Sequence, residues 1–158
     1  MRIKKILLSA LAATMLTGAL ALPASASNVD SDFMIHIPGS GVAFDVYSYR
    51  IKDNATSSYV RYSNGPSSFI GIVYGGPYQS DVITDCTSTE YYSGSPREPA
   101  VIRVGQKGYI RQDVYETYGD RPMGAAAKLA GKYNGQGGTA TGVWSPDSVY
   151  EDGCIYFN

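Results

Sequence analysis

Among the 158 residues His36 is the only histidine, and Cys86 and Cys154 are the only cysteines. Nucleophilic catalysis by serine or cysteine needs a base beside the nucleophile, so any such site must be built around His36. In the segment 33–37 (F-M-I-H-I) His36 alternates with Phe33, Ile35 and Ile37, which reads as the solvent-facing side of a strand. No G-x-S-x-G elbow is present, and Ser-His chemistry is not expected. A zinc centre is not expected either, because one histidine and two disulfide-prone cysteines do not fill its shell. Paired carboxylates could still serve a glycosidase. Asp113 and Glu116 read as lying on opposite faces of one strand, and Asp45 could meet Asp81 or Asp85 only through tertiary contacts. These acids read as solvating strand exteriors and turns, so no enzyme and no cofactor is expected.

Three other features could carry recognition. Trp144-Ser145-Pro146-Asp147-Ser148 has the composition of a turn closing a strand, since proline fixes φ and side-chain oxygens cap free N–H groups. Trp144 and Asp147 are also the leading binding candidates. Asp147, Glu151 and Asp152 offer hard oxygen ligands to Ca²⁺ but lack the spacing of a calcium loop. The 14 tyrosines supply rings with polar tips, suited to carbohydrate and protein surfaces. Tyr91 and Tyr92, beside a polar 93–99 loop (S-G-S-P-R-E-P), together with Tyr115 and Tyr118, are the ones expected at the surface.

The elements that must position these residues follow from composition. Leu129 is the only leucine after residue 26, while tyrosine, valine and isoleucine are frequent and broken up by glycine and proline. Such a chain cannot build leucine-striped helices, and it suits short strands and tight turns. The expectation is all-β, a single antiparallel β-sandwich or barrel over 33–158, with no helix longer than two turns. Strands are read at 33–37, 42–50, 57–62, 69–74, 82–86, 100–104 and 108–115. The almost continuously apolar 69–74 (F-I-G-I-V-Y) reads as a central strand. Residues 125–133 tempt a helix, yet Ala125, Ala127 and Leu129 alternate with Lys128 and Lys132, the period of a strand. Asn134-Gly135 then favours a hairpin. A two-residue loop pairs Leu129 with Ala140 and Ala125 with Trp144, leaving Trp144 buried among small residues.

The first 26 residues read as a signal peptide: a basic 1–5 (M-R-I-K-K), an uncharged apolar 6–22, then Pro23 and the cleavage triplet Ala24-Ser25-Ala26. Residues 27–32 read as a flexible start. Removing Arg2, Lys4 and Lys5 from the 13 basic residues leaves 10 against 14 acidic ones, a net charge of −4. That balance argues against nucleic acid and anionic membranes as partners, and secretion is the expected fate. In an oxidising compartment Cys86 and Cys154 are expected to form a disulfide, worth about 4 kcal/mol on the chain-entropy model.

The segments Y-I-R-Q-D-V-Y-E (109–116) and K-L-A-G-K-Y-N-G-Q-G-G-T-A-T-G-V-W-S-P-D-S (128–148) resemble a group of small, uncharacterised exported proteins of Gram-positive bacteria. Those proteins carry a leader, a β-rich body and a C-terminal G-x-W-S-P-D-S. The resemblance implies export and bacterial origin and brings no catalytic residue. In size, leader and Gly/Tyr-rich β character the chain is also similar to lactococcin-type bacteriocins. The expected function is therefore a secreted, non-enzymatic β-module that binds cell-envelope polysaccharide or an extracellular protein. A secreted antibacterial factor and a carboxylate-based hydrolase are the alternatives.

Overall fold

A computed structural model describes residues 29–78, 84–88 and 98–158. The leader, Tyr91, Tyr92 and all but the end of the 93–99 loop lie outside the described residues. In chain order the strands are β1 (Ser31–Ile37), β2 (Val42–Phe44), β3 (Arg50–Lys52), β4 (Ser58–Asn64), β5 (Ser68–Pro77) and β6 (Thr84–Asp85). Then come β7 (Val101–Arg103), β8 (Lys107–Ile110), one short helix α1 (Val114–Tyr118), β9 (Ala125–Lys132), β10 (Gly138–Ser145) and β11 (Ile155–Tyr156). The fold is all-β, as the near-absence of leucine requires.

One sheet has the order β1-β10-β4-β8-β11, antiparallel except for the β8–β11 pair. The other runs β2-β9-β5-β6, with β3 also on β9 and β7 also on β5. Single bridges join the two sheets at both sides, Ile35 to Asp45 and Thr87 to Gln112, so the layers curl toward a half-barrel. The core between them holds Phe33, Ile35, Tyr62, Phe69, Val73, Ile102, Ile110, Leu129 and Trp144. β5 is central, hydrogen-bonded to β9 on one side and to β6 and β7 on the other, which is why its sequence is so evenly apolar.

Several local expectations are corrected. β9 is a strand, but it does not pair with β10: β9 bonds to β5, β2 and β3, while β10 bonds to β1 and β4. Asn134-Gly135 does turn the chain, with Gly135 at φ 87°, yet the connection carries it from one sheet to the other. The inward faces survive this change, because Ala125, Ala127 and Leu129 meet Ala140 and Trp144 across the core instead of side by side. The 42–50 strand is broken at Asp45, whose buried carboxylate turns inward to accept the Met34 N–H at 2.9 Å. The 108–115 strand ends early as well. Gln112 is buried, donating to the Thr56 carbonyl at 2.7 Å and accepting the Val114 N–H at 2.8 Å, which stops the strand and starts α1. β1 begins at Ser31, inside the stretch read as a flexible start.

Cys86 and Cys154 are not bonded to one another, which overturns the expected disulfide. The register gives the reason. Cys86 neighbours the Thr87–Gln112 bridge, whereas Cys154 precedes the Ile155–Gly108 pair. The stretch from 108 to 112 separates them, and at about 3.3 Å per residue of extended chain it exceeds the roughly 7 Å Cα spacing that a disulfide spans.

Candidate functional site

The W-S-P-D-S segment forms the inner wall of the site. Trp144 is completely buried. Its indole N–H donates to Asp45 Oδ2 at 3.3 Å, and the Arg50 guanidinium lies 4.6 Å from the ring centroid while donating to the Trp144 carbonyl at 2.6 Å. Gly142, two residues earlier, sits at a β-bulge. A Cβ there would meet the Arg61 carbonyl oxygen at 2.1 Å and Phe33 Cε1 at 2.8 Å, so close approach of β4 to β10 requires glycine.

Asp147 is also completely buried. Its Oδ1 accepts from Lys52 Nζ at 2.6 Å, and its Oδ2 accepts the Asp53 N–H at 3.0 Å. Lys52 donates further to the carbonyls of Asn54 at 2.5 Å and Thr56 at 2.6 Å. The three ammonium protons thus have three acceptors. Burial lowers the Lys52 pKa, and the hydrogen bond it donates to Asp147 works against that shift. Ser58 Oγ donates to the Pro146 carbonyl at 3.0 Å, and the Ser148 N–H donates to Thr56 Oγ1 at 3.0 Å. The motif is therefore a clasp holding the 50–58 segment against the end of β10. Trp144 and Asp147 both face inward, where they hold this clasp together.

The other candidates are dispersed. Tyr115 and Tyr118 stand one helical turn apart on α1 and are partly buried. Tyr118 packs against the core and donates to Thr84 Oγ1 at 3.0 Å. Asp113 precedes α1 and Glu116 lies in its first turn, not across a strand. His36 is exposed, with Nδ1 at 3.0 Å from Thr139 Oγ1. Cys86 is buried, and desolvation, with the nearby Asp113 charge adding to it, pushes its thiol up to about 11; a thiol held protonated is inert. Among the described residues no group of acids, histidines and cysteines is arranged to hold a metal.

The open part of the site begins where the clasp ends. A groove of about 280 Å³ is lined by Asp30, Tyr59, Ser148, Val149, Tyr150 and Glu151, with Asp147 at its base. Tyr150 is 86% exposed. β4 and β8 place Tyr59 and Tyr109 side by side as direct cross-strand neighbours, both buried, with ring centroids 6.1 Å apart, and the exposed Tyr156 of β11 continues the row at 5.4 Å. Tyr109 fixes the lip of the groove, its hydroxyl donating to the Val149 carbonyl at 3.0 Å and accepting the Glu151 N–H at 2.7 Å. Glu151 accepts from Lys107 Nζ at 2.5 Å. That hydrogen bond holds the Glu151 carboxyl below the ordinary range. Asp30 is raised, by partial burial first, with Glu151 adding to it and Arg61 opposing. Tyr59 is pushed up to about 12 by burial and by the Glu151 charge.

Sequence reasoning missed Asp30, Lys52, Tyr59 and Tyr150. Tyr59 sits in a strand whose neighbours Val60 and Tyr62 are core residues, and one more tyrosine among 14 carries no signal of its own. Lys52 has no sequence signal at all. Glu151 was visible only as an acid near the motif.

A family model described as "Protein of unknown function (DUF2712)" matches residues 19–148. No curated protein and no solved structure matches the chain. The matched region contains the whole clasp and ends where the exposed lip of the groove begins.

Proposed function

Because the chain belongs to the DUF2712 family, whose function is unknown, we propose its role from the groove: an exported, non-enzymatic β-module that binds cell-envelope polysaccharide. The observation that carries this reading is Tyr150, 86% exposed at the mouth of a hollow that also holds Tyr59, Asp30 and Glu151. Tyrosine faces stack on sugar rings, and flanking carboxylates accept from hydroxyl groups. The buried Lys52–Asp147 clasp would keep the groove's floor rigid, which lowers the cost of ordering on binding.

Retention on purified wall polysaccharide tests the reading. The wild-type protein is expected to be retained, and Tyr150→Ala is expected to lose about tenfold in affinity without a change in melting temperature. Failure of the wild type to be retained would discard the proposal. Retention that disappears after protease treatment of the wall would assign the groove to a protein partner instead.

One observation favours a second reading, a carboxylate-based hydrolase. Asp30 is raised and Glu151 lowered within one groove, the division expected of a general acid and its ionised partner. The engagement of Glu151 by Lys107 favours binding over catalysis. Reducing ends released from wall polysaccharide by the wild type, and not by Asp30→Asn, would make the hydrolase the correct reading.

A further inference from the structure

The outer face of the β1-β10-β4-β8-β11 sheet carries two more hollows beside the tyrosine groove. One, of about 390 Å³, is walled by Asp32, Met34, Tyr47, Arg61, Ser63 and Thr141. The other, of about 350 Å³, is walled by Arg61, Gln106, Lys107, Gly153 and Ile155. The register gathers them around β4, two on opposite sides of Arg61 and the tyrosine groove further along the strand. Arg61 stands opposite Val143 on one side and Lys107 on the other, and Tyr59, two residues along the same face of β4, stands opposite Ser145 and Tyr109. Arg61 is thus the shared wall of two hollows, and its next outward neighbour lines the third. From Tyr59 to Ser63 the strand extends roughly 14 Å, longer than a single sugar ring and suited to a short run of linked ones.

Arg61 is exposed, and its guanidinium makes no hydrogen bond or ion pair among the described residues. Lys107 is engaged by Glu151. The face therefore presents the donors of Arg61 in the middle, tyrosine rings at one end and the carboxylates Asp30, Asp32 and Glu151 around them. With Arg50 donating to the Asp32 carbonyl at 2.8 Å, three acids meet three bases, so the face offers a polyanion no net positive charge, while donors and acceptors side by side suit hydroxyl groups, which do both.

We infer that the three hollows form one trough for an uncharged, hydroxyl-rich linear polysaccharide, with Arg61 hydrogen-bonding the central sugar. This rests on the reading of the tyrosine groove as a polysaccharide site.

Calorimetric titration with neutral β-1,4-linked N-acetylglucosamine and glucose oligomers of one to six units tests it, with polyglycerol phosphate as the polyanion. Affinity is expected to rise about tenfold from one unit to four and then level off. Arg61→Ala should remove most of that rise, and Tyr150→Ala should weaken all lengths. Equal affinity at every length, or wall retention with no oligomer binding, would overturn the trough and leave the tyrosine groove standing. Tighter binding of polyglycerol phosphate than of the neutral oligomers would overturn the ligand class. No oligomer binding together with no wall retention would remove both readings.

Discussion

Two lysine–carboxylate pairs flank the same turn and differ in almost nothing but their surroundings. Lys52–Asp147 closes at 2.6 Å with both side chains fully buried, and Lys107–Glu151 closes at 2.5 Å with side chains 33% and 50% exposed. In the first pair, burial keeps bulk solvent from both charges, so the protein itself must supply the partners. Asn54, Thr56 and the Asp53 N–H do so. In the second pair, water competes for each charge, and the two groups can part to meet a ligand. Distance alone does not tell a structural ion pair from an adaptable one. Burial does, through the cost of leaving a charge unpaired.

The largest effect is expected from breaking the buried pair on one side only. Asp147→Ala strands the Lys52 ammonium and should cost about 3–5 kcal/mol, read as a fall in the urea midpoint. The double change Lys52→Met with Asp147→Leu removes both charges and should recover most of that loss. If the double variant is no better than the single one, the pair contributes through its hydrogen bonds to the 53–56 backbone and not through charge. Trp144→Ala, which empties the core beside the clasp, should cost a similar 3–5 kcal/mol, whereas Trp144→Phe forfeits mainly the Asp45 hydrogen bond, about 1–2 kcal/mol. Gly142→Ala forces β4 and β10 apart and is expected to cost about 1–3 kcal/mol.

A smaller effect is expected from alkaline pH. Cys86 is raised from 9.0 to about 11 and Tyr62 from 10.0 to about 12, each by burial. For an acid raised on folding, the folded state keeps a proton that the unfolded state releases, so stability is full below the unfolded pKa and falls as pH rises through the gap. Stability should decline from pH 9 upward. Lys52, lowered by burial, acts in the opposite sense below 10.5, so the Cys86 part is best isolated by difference. Cys86→Ala should flatten the decline between pH 9 and 11. At neutral pH, iodoacetamide should label the partly exposed Cys154 and spare Cys86 until the protein unfolds. Equal labelling of both would contradict the burial of Cys86.

The smallest effect belongs to the exposed pair. Lys107→Ala and Glu151→Gln are each expected to leave the urea midpoint unchanged at physiological salt, because exposed ion pairs are screened. A large shift in either would erase the distinction between the two pairs.

The fold class was legible because it depends on composition and period. Alternation fixed the inward faces of 33–37 and of 125–129, and the even apolarity of 69–74 marked the central strand. The errors share one cause. Asp45 breaks a strand, Gln112 ends another, and Lys52 anchors a turn, each because a buried polar side chain found partners far along the chain. Local propensity holds no record of such partners. The hairpin error is of the same kind. Asn-Gly encodes a turn, and nothing in a turn says whether the returning strand rejoins its own sheet or crosses to the facing one. The disulfide expectation failed because two cysteines in one chain say nothing about the distance between their Cα atoms.

By itself the sequence determined the all-β class and the turn at W-S-P-D-S, since these follow from composition, alternation and proline geometry. Only the tertiary structure decided that Asp147 faces Lys52 while Glu151, four residues later, faces solvent. It also decided that Asp30 and Tyr59 share a groove with Tyr150. The physical reason is that burial and convergence are properties of sheet order and register, which long-range contacts set and local sequence does not carry.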